Sequence, residues 1–285
     1  MRFNAGALCP NPRRCYNSAL RILRVLALAY LGVLLVMMFL EESLVFVPTR
    51  LDADPAVPAD LAVENAWFQS ADGTKLHGWY VRHEHPRAVV LFCHGNGGNI
   101  THRTDVLRLL NRRVGVSALI FDYRGYGRSE GEPNERGVLA DARAARDWLA
   151  RREKMPEDQI VLMGESIGGA VAVDLAVDGA RALIIENSFS SLPDVAAYHY
   201  PLLPVQWCMR TRLNSAAKIG GYHGPLLQSH GERDTIVPIR LGLRLFEAAN
   251  EPKRFLRFPG RDHNDGRPPG YYDTLRDFLD SCPAG

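Results

Sequence analysis

One short segment near the middle of the chain constrains its fold more than any other feature. Residues 159–163 are mostly apolar and β-prone, and they are short enough for a buried strand. The sequence G-E-S-I-G follows at 164–168, and residues 169–177 then carry alanines and a leucine that favour a helix. Glycines two positions either side of the serine permit a very sharp turn between a strand and a helix. The pattern predicts a strained turn that exposes the Ser166 hydroxyl above a parallel sheet, with an ordinary glycine-bounded turn as the alternative.

A serine hydroxyl is protonated at neutral pH, so Ser166 needs a nearby base and a group that orients that base. Asp234 lies in the loop after an apolar run at 225–228, and His263 lies in the loop after a predicted strand at 255–258. Both residues follow the carboxyl ends of predicted parallel strands, where the active-site loops of open α/β sheets gather. We therefore expect His263 to accept the serine proton and Asp234 to fix the tautomer of the imidazole.

Other residues compete for these two roles. Glu186 ends the preceding apolar run and is a rival acid one strand earlier. Asp262 and Asp265 flank His263, but a sequence neighbour seldom has the geometry to orient an imidazole. The chain has nine histidines, and a solvated loop side chain is the ordinary role of an isolated one. The positions after the strands favour Asp234 as the acid and His263 as the base.

A glycine-rich loop supplies candidate donors for the oxyanion. Residues 88–93 predict a strand that continues into H-G-N-G-G-N at 94–99. A tetrahedral intermediate on the serine needs backbone N–H groups aimed at its oxygen, one from the residue after the serine and one from this loop. We therefore expect the N–H groups of Asn96 and Ile167 to form the oxyanion hole. The loop lacks the lysine and the spacing of a phosphate-binding P-loop.

Five segments, taken in order, resemble those of one superfamily. They read L-F-C-H-G-N-G-G-N, F-D-Y-R-G-Y-G-R-S-E-G, G-E-S-I-G-G, H-G-E-R-D-T-I-V-P and G-R-D-H-N. From about residue 60 to the C-terminus the chain resembles the α/β-hydrolase superfamily, in particular its membrane-anchored serine hydrolases, which are similar to serine aminopeptidase-like and acylglycerol-lipase-like enzymes. The resemblance implies hydrolysis of a small-molecule or lipid-like acyl substrate through an acyl-enzyme, without a metal or a cofactor. Haloalkane dehalogenases and epoxide hydrolases of this superfamily have an aspartate where Ser166 stands.

The pattern of apolar residues predicts the remaining architecture. Strands are expected at 62–68, 75–82, 88–93, 117–123, 159–163, 182–186, 225–230 and 254–258, and helices at about 100–112, 135–153, 167–178, 238–250 and 269–281. Strands that alternate with helices indicate an α/β fold with a mainly parallel, doubly covered sheet. The chain of 285 residues is long enough for one large core, and we expect the catalytic domain to occupy residues 61–285.

An insertion at about 190–222 follows the sixth predicted strand, where this fold usually carries a short lid. It contains Tyr198, Tyr200, Trp207 and Met209. These side chains either line an acyl or aryl pocket or pack the insertion onto the body of the domain.

Three functions are compatible with these residues. A carboxylic ester or thioester hydrolase is favoured, because a lid of this length leaves little room for a polypeptide substrate. A serine peptidase of the aminopeptidase or prolyl type is the second, and a non-catalytic binding protein is the third. The third is disfavoured because the serine, the acid, the base and the oxyanion loop are all chemically intact.

The N-terminal segment departs from the globular pattern. Residues 25–40 carry no charge, and extension back to Ile22 gives a stretch near the lower end of the roughly 17–25 residues that a membrane helix needs. We expect a basic tail at 1–21, a single transmembrane anchor at 22–40 and a linker at 41–60. A cleaved signal peptide is the main alternative, although no A-x-A-like site follows Leu40. An apolar helix docked onto the domain is another.

Charge asymmetry predicts the orientation of the anchor. Residues 1–40 contain five arginines and no acidic residue, whereas Glu41 and Glu42 follow directly. The positive-inside rule then places the N-terminus in the cytoplasm and the catalytic domain on the non-cytoplasmic side. Subtracting these five positive charges from the formal +2 leaves −3 for the remainder, a balance that gives no reason to expect a nucleic-acid partner. The five cysteines match no zinc or disulfide framework.

Overall fold

An eight-stranded sheet forms the centre of the domain in the computed structural model, which describes residues 12–51 and 60–283. Its spatial order is β1-β2-β4-β3-β5-β6-β7-β8. The strand β2 is antiparallel to β1 and β4, and all the other pairs are parallel. The strands are β1 (Val63–Gln69), β2 (Lys75–Val81), β3 (Val89–Cys93), β4 (Ser117–Phe121), β5 (Val161–Glu165), β6 (Ala182–Glu186), β7 (Leu226–Gly231) and β8 (Lys253–Phe258). Each predicted strand is present, which confirms the mainly parallel α/β fold.

Helices cover both faces of this sheet. Residues of α4, α5 and α9 pack with Leu91 and Cys93 of β3 on one face, whereas α3 and α10 pack with Val90 and Phe92 on the other. Alternate residues of one buried strand thus face two separate layers of the core, as a doubly covered parallel sheet requires. The helices are α1 (Pro12–Phe39), α2 (Glu41–Val45), α3 (Thr104–Leu109), α4 (Glu135–Glu153), α5 (Ile167–Ala176), α6 (Leu192–His199), α7 (Val205–Cys208), α8 (Ser215–Lys218), α9 (Ile239–Ala248) and α10 (Tyr271–Ser281).

The parallel strands bring the candidate residues to one edge of the sheet. The strands β3, β5, β6, β7 and β8 run in the same direction, so their carboxyl ends lie together. The loops at these ends carry Asn96, Ser166, Asp234 and His263, and Glu186 is the last residue of β6. Residues that are distant in the chain are thereby gathered at the carboxyl edge.

The insertion after β6 folds into α6, α7, α8 and a short 3₁₀ turn. The four side chains singled out in this insertion differ in their surroundings. Tyr200 and Met209 line an apolar cavity. Arg240 lies over the ring of Tyr198, 4.9 Å from its centroid, whereas Trp207 is 87% exposed and lines none of the cavity.

The N-terminal helix is longer than the predicted anchor. Whereas the anchor was expected at 22–40, α1 already begins at Pro12, because the arginines before the apolar run are also good helix formers. Its residues 16–39, 24 in number, form one candidate membrane span whose surface is exposed along the helix. Residues 1–11 of the predicted basic tail lie outside the described residues.

Residues 41–51, expected as the first half of a linker, pack against the domain. The Glu41 carboxylate accepts hydrogen bonds from the N–H groups of Arg210 and Thr211, and Phe46 is buried in the core. Pro48 and Arg50 form bridges with Gly98 and Gly127, respectively. A buried carboxylate and a buried aromatic ring thus hold this segment in place, while residues 52–59 lie outside the described residues.

Candidate active site

The turn between β5 and α5 has the strained form that the sequence predicted. Ser166 has φ 54° and ψ −119°, a backbone conformation that costs energy for any residue with a side chain. A Cβ on Gly164 would lie 2.2 Å from the carbonyl oxygen of Gly168, and one on Gly168 would lie 2.1 Å from the carbonyl oxygen of Cys93. Only glycine fits at these two positions. The Ser166 N–H donates to the carbonyl oxygen of Glu186 at 2.8 Å, which ties the turn to the neighbouring strand.

The imidazole of His263 lies between Ser166 and Asp234. Its Nε2 atom is 3.1 Å from Ser166 Oγ, and its Nδ1 atom is 2.7 Å from Asp234 Oδ2. A proton on Nδ1 donated to the carboxylate leaves Nε2 free to accept the serine proton. The structure therefore brings together the three residues that the sequence singled out.

Asp234 is held by contacts on both of its oxygens. Its Oδ1 atom accepts from the N–H groups of Ile236 and Val237 at 3.0 and 2.6 Å, and its Oδ2 atom also lies 3.3 Å from His230 Nε2. Burial raises the pKa of Asp234, but hydrogen bonds from His230, His263 and Val237 outweigh it and lower the pKa to about 2. The carboxylate is therefore ionised and oriented at neutral pH.

The rival acid Glu186 has other partners. Arg267 Nε donates to its Oε1 and Oε2 atoms at 3.1 and 3.0 Å, and the Tyr271 hydroxyl donates to Oε1. With its oxygens occupied in this way, Glu186 contacts a permanent cation rather than the imidazole of His263. The flanking Asp262 is also occupied, because it accepts from Thr235 and from the backbone N–H of His263.

A half-buried carboxylate, Glu165, completes an ion-pair cluster with Glu186. Arg103 Nε donates to Glu165 Oε1 at 2.9 Å, and Arg267 Nη2 donates to Glu165 Oε2 at 3.2 Å. Burial raises the pKa of Glu165, but the guanidinium groups of Arg103 and Arg267 leave it below its ordinary value. The cluster lines a polar cavity of about 300 Å³ that His263 also borders. Its charges are largely neutralised in pairs.

The expected oxyanion donors lie on loops that touch the serine turn. Ile167 is the first residue of α5, and the first N–H groups of a helix have no partner within it. The Asn96 side chain is fixed, because its Nδ2 donates to the Val45 carbonyl at 2.5 Å and its Oδ1 accepts from the Tyr126 hydroxyl at 2.7 Å. The donor roles of the two N–H groups stay a prediction.

Asn187 supports the site and escaped the sequence reasoning. Its Oδ1 accepts from the Gly231 N–H, and its Nδ2 donates to the His263 carbonyl, both at 3.0 Å. The residue has φ 48°, in the left-handed region where asparagine is enriched. An asparagine directly after Glu186 at a strand end was the available signal. It joins the ends of β6 and β7 to the histidine loop.

No group of three or more His, Cys, Asp or Glu side chains is arranged to hold a metal ion within residues 12–51 and 60–283.

Comparisons with known proteins place the chain in a family. The family model described as serine aminopeptidase, S33, matches residues 84–196. An uncharacterized protein of Mycobacterium tuberculosis is 38% identical over 94% of this chain and 96% of its own length. The α/β-hydrolase domain-containing protein WAV2 of Arabidopsis thaliana is 32% identical over 87% of this chain and 90% of its own.

Solved structures show the same fold at lower identity. The Pyrococcus furiosus esterase Pf2001 matches with a TM-score of 0.65 and 19% identity, over 84% of this chain and 98% of that one. The acetyl xylan esterase of Paenibacillus sp. R4 matches with a TM-score of 0.66 and 18% identity, over 81% and 87%. At these identities the likeness concerns the fold. Together with the relatives above, it shows that the chain belongs to the α/β-hydrolase superfamily.

Proposed function

We propose that the protein is a membrane-associated serine hydrolase that cleaves carboxylic esters or thioesters with Ser166, His263 and Asp234. The observation that carries the proposal is the position of the His263 imidazole, in hydrogen-bonding distance of both Ser166 Oγ and Asp234 Oδ2. The ionised Asp234 favours the imidazolium that forms when His263 takes the serine proton.

The reaction divides into two transfers of the acyl group. Ser166 Oγ attacks the carbonyl carbon while its proton moves to His263 Nε2, and the oxyanion accepts hydrogen bonds from the N–H groups of Asn96 and Ile167. His263 then protonates the departing alkoxide or thiolate, which leaves an acyl-enzyme. Water attacks this ester as His263 takes its proton. His263 then returns this proton to Ser166 Oγ as the ester bond breaks, and the released carboxylic acid ionises in water.

An ester or thioester fits this site better than a peptide. The insertion at 190–222, which we take as the lid, contributes an apolar cavity, as an acyl chain requires. Two solved structures of the same fold are those of esterases. A serine peptidase is the second candidate, because the matching family model is described as serine aminopeptidase.

The candidate span of α1 supports attachment to a membrane. The five arginines before Glu41 favour a cytoplasmic N-terminus and a hydrolase domain at 61–285 on the other side. A reporter fused after Gly285 should be active only outside the cytoplasm. A mature chain that begins after residue 40 would instead show a cleaved signal peptide.

Fluorophosphonate labelling tests the nucleophile. The full-length protein should react, and Ser166→Ala should abolish the reaction and lower kcat by on the order of 10⁴ to 10⁶ on any ester. Ser281→Ala is the matched control, because Ser281 is exposed and its hydroxyl binds only the Phe278 carbonyl oxygen. Labelling that persists in Ser166→Ala would exclude this serine, and no labelling in the unaltered protein would favour a non-catalytic binding protein.

A substrate panel tests the bond that is cleaved. The full-length protein should hydrolyse p-nitrophenyl esters and acyl thioesters with a higher kcat/KM than aminoacyl p-nitroanilides, because amides have the poorer leaving group. The reverse ranking would favour the peptidase.

A further inference from the structure

An apolar cavity lies between the candidate membrane helix and the insertion after β6. Its volume is about 240 Å³. One wall comes from the end of α1 and from α2, and the other from α6, α7 and the loop between them. The lining residues that bear on its role are Glu41, Val45, Leu192, Ala196 and His199.

Polar groups at the rim of this cavity are already bonded. The Glu41 carboxylate accepts from the N–H groups of Arg210 and Thr211, and His199 Nε2 lies 2.9 Å from the Ile236 carbonyl oxygen. An apolar cavity of roughly 150 Å³ stays dry and binds benzene, so this larger one suits a hydrocarbon. It is smaller than the roughly 300–1,000 Å³ of pockets that enclose whole drug-sized ligands. The space fits one chain rather than a whole lipid.

The wall formed by α6, α7 and the loop between them lies beside the part of α1 that would cross a bilayer. The Tyr30 hydroxyl donates to the Leu202 carbonyl at 2.8 Å, and Tyr30 precedes the last residue of α1, Phe39, by nine positions. At 1.5 Å per residue, Leu202 sits about 13 Å before the end of the helix, within one leaflet of a bilayer that α1 crosses. Leu202 and Trp207 are 85% and 87% exposed in this region. A leaflet would cover both apolar side chains.

One hydrogen bond and one short chain segment connect the walls of the cavity with the candidate active site. Val45 lines the cavity, and its carbonyl accepts from Asn96 Nδ2 at 2.5 Å. Leu192 also lines it and follows Ser188 by four residues, while the Ser188 hydroxyl donates to the Ser166 carbonyl at 2.8 Å. The cavity walls are thus continuous with the loops on either side of the nucleophile.

We propose that this cavity binds the acyl chain of a substrate that resides in the bilayer and that the chain enters from the adjacent leaflet. The inference rests on the ester or thioester hydrolysis proposed above and adds the substrate class, a membrane-resident ester or thioester with a medium to long acyl chain. The chain occupies the space between α1 and α6, and its carbonyl carbon lies at Ser166.

Ala196→Phe tests the cavity by filling it. Ala196 lines the cavity on α6, whereas the neighbouring Ala197 is equally half-buried on the same helix and lines none of it. In the full-length protein Ala196→Phe should lower kcat/KM on p-nitrophenyl decanoate about tenfold or more and leave p-nitrophenyl acetate within about twofold. The matched variant Ala197→Phe should leave the chain-length profile unchanged. A profile that is the same in both variants and in the unaltered protein overturns the assignment.

Photo-crosslinking tests chain binding without catalysis. The Ser166→Ala protein is reconstituted in phosphatidylcholine vesicles that contain a fatty acid with a terminal diazirine. Adducts should form on lining residues of α6 and α7, persist with Ala197→Phe and disappear with Ala196→Phe. Adducts confined to α1 would overturn the proposal, since a membrane helix contacts lipid in any case.

The two experiments separate failure of the inference from failure of the proposed function. Adducts on α6 and α7 without any Ser166-dependent hydrolysis would leave the chain site standing and refute the hydrolase. Ser166-dependent hydrolysis without these adducts would refute the chain site and leave the hydrolase standing.

The fluorescence of Trp207 tests whether this side chain lies in the leaflet. Vesicles of brominated phosphatidylcholine should quench tryptophan emission, and Trp207→Phe should remove most of that quenching. Quenching that is unchanged in Trp207→Phe would overturn entrance from the leaflet.

Discussion

The ends of β6 and β7 lie side by side, and each presents a buried carboxylate to the carboxyl edge of the sheet. At β6, Glu186 binds the Arg267 guanidinium and the Tyr271 hydroxyl. After β7, Asp234 binds two backbone N–H groups and the imidazole of His263. Strand position alone thus does not select the acid of a triad. The partners decide, because Glu186 is directed at Arg267 and Tyr271, whereas Asp234 reaches His263.

The two carboxylates differ in what their partners can do. Arg267 keeps its charge at any working pH, so its pair with Glu186 is electrically constant. His263 can take up and release the Ser166 proton in the proposed reaction, and Asp234 stabilises its charged form. One strand end therefore holds a fixed structural charge, while the neighbouring one can follow the charge changes of a reaction.

We expect the largest difference between the two carboxylates in the activity of their variants. Asp234→Asn should lower kcat on p-nitrophenyl acetate by on the order of 10⁴, since an asparagine favours the wrong imidazole tautomer. Glu186→Gln should retain activity within about tenfold in the fraction that folds. The measurement is the steady-state kcat of both variants, with the concentration of active enzyme taken from active-site titration. The opposite ranking would move the acid to β6.

For the free energy of unfolding we expect the reverse order, with a larger loss for Glu186→Gln than for Asp234→Asn. Glu186→Gln leaves the half-buried Arg267 with less compensating charge, and breaking a largely buried pair costs about 3 kcal/mol. Thermal unfolding of the full-length protein in detergent should show a midpoint lower by roughly 6–12 °C. Asp72→Asn is a control, because Asp72 pairs with Arg124 but is itself exposed. A loss for Glu186→Gln no larger than for this control would contradict a structural role.

We expect Asp234 to contribute to the decrease in the free energy of unfolding at acid pH. Its pKa is lowered from 3.8 to about 2 in the folded state, so its contribution is full above pH 4 and is lost as the pH falls towards 2. The contribution corresponds to about 2 kcal/mol. Chemical unfolding at pH 6, 4 and 2.5 should show the difference between the unaltered protein and Asp234→Asn shrinking with acid. A difference independent of pH would mean that Asp234 gains nothing from its partners.

The smallest effect is expected at the edge of the Glu186 cluster. Tyr271→Phe removes one donor from the carboxylate but leaves Arg267 in place, at a cost of about 1–2 kcal/mol. Activity on p-nitrophenyl acetate should stay unchanged. Unfolding midpoints of Tyr271→Phe and Glu186→Gln, compared in one buffer, check the order. If Tyr271→Phe costs as much as Glu186→Gln, the hydroxyl rather than the guanidinium holds the carboxylate.

Local patterns predicted the elements of the sheet and the loops that carry the candidate site. Residues 182–186 and 135–153 form β6 and α4 with the predicted bounds. The first is a short apolar run typical of a buried strand, and the second spaces its apolar residues as a helix does. Asp234 and His263 were identified from positions after strands, and the structure places them together. These inferences need only neighbours in sequence and the rule that parallel strands end at one edge.

Contacts between distant segments were beyond such patterns. The pairing of Arg267 with Glu186 joins residues 81 positions apart and exists only once the loop between β8 and α10 meets the end of β6. The docking of Phe46 depends on a core that residues 41–51 do not reveal by themselves. Trp207 shows the converse, because the sequence suggested either a pocket wall or packing onto the domain, and the side chain is 87% exposed.

The docked segment 41–51 also determines where a water-soluble fragment can begin. A cut at residue 60 would follow the predicted domain boundary, but it would remove Phe46 from the core and take the Val45 and Val47 backbone partners from Asn96. A cut directly before Glu41 removes the apolar helix and keeps all of these contacts. Truncation between Leu40 and Glu41 is therefore the boundary at which the candidate membrane helix can be separated from an intact carboxyl edge of the sheet.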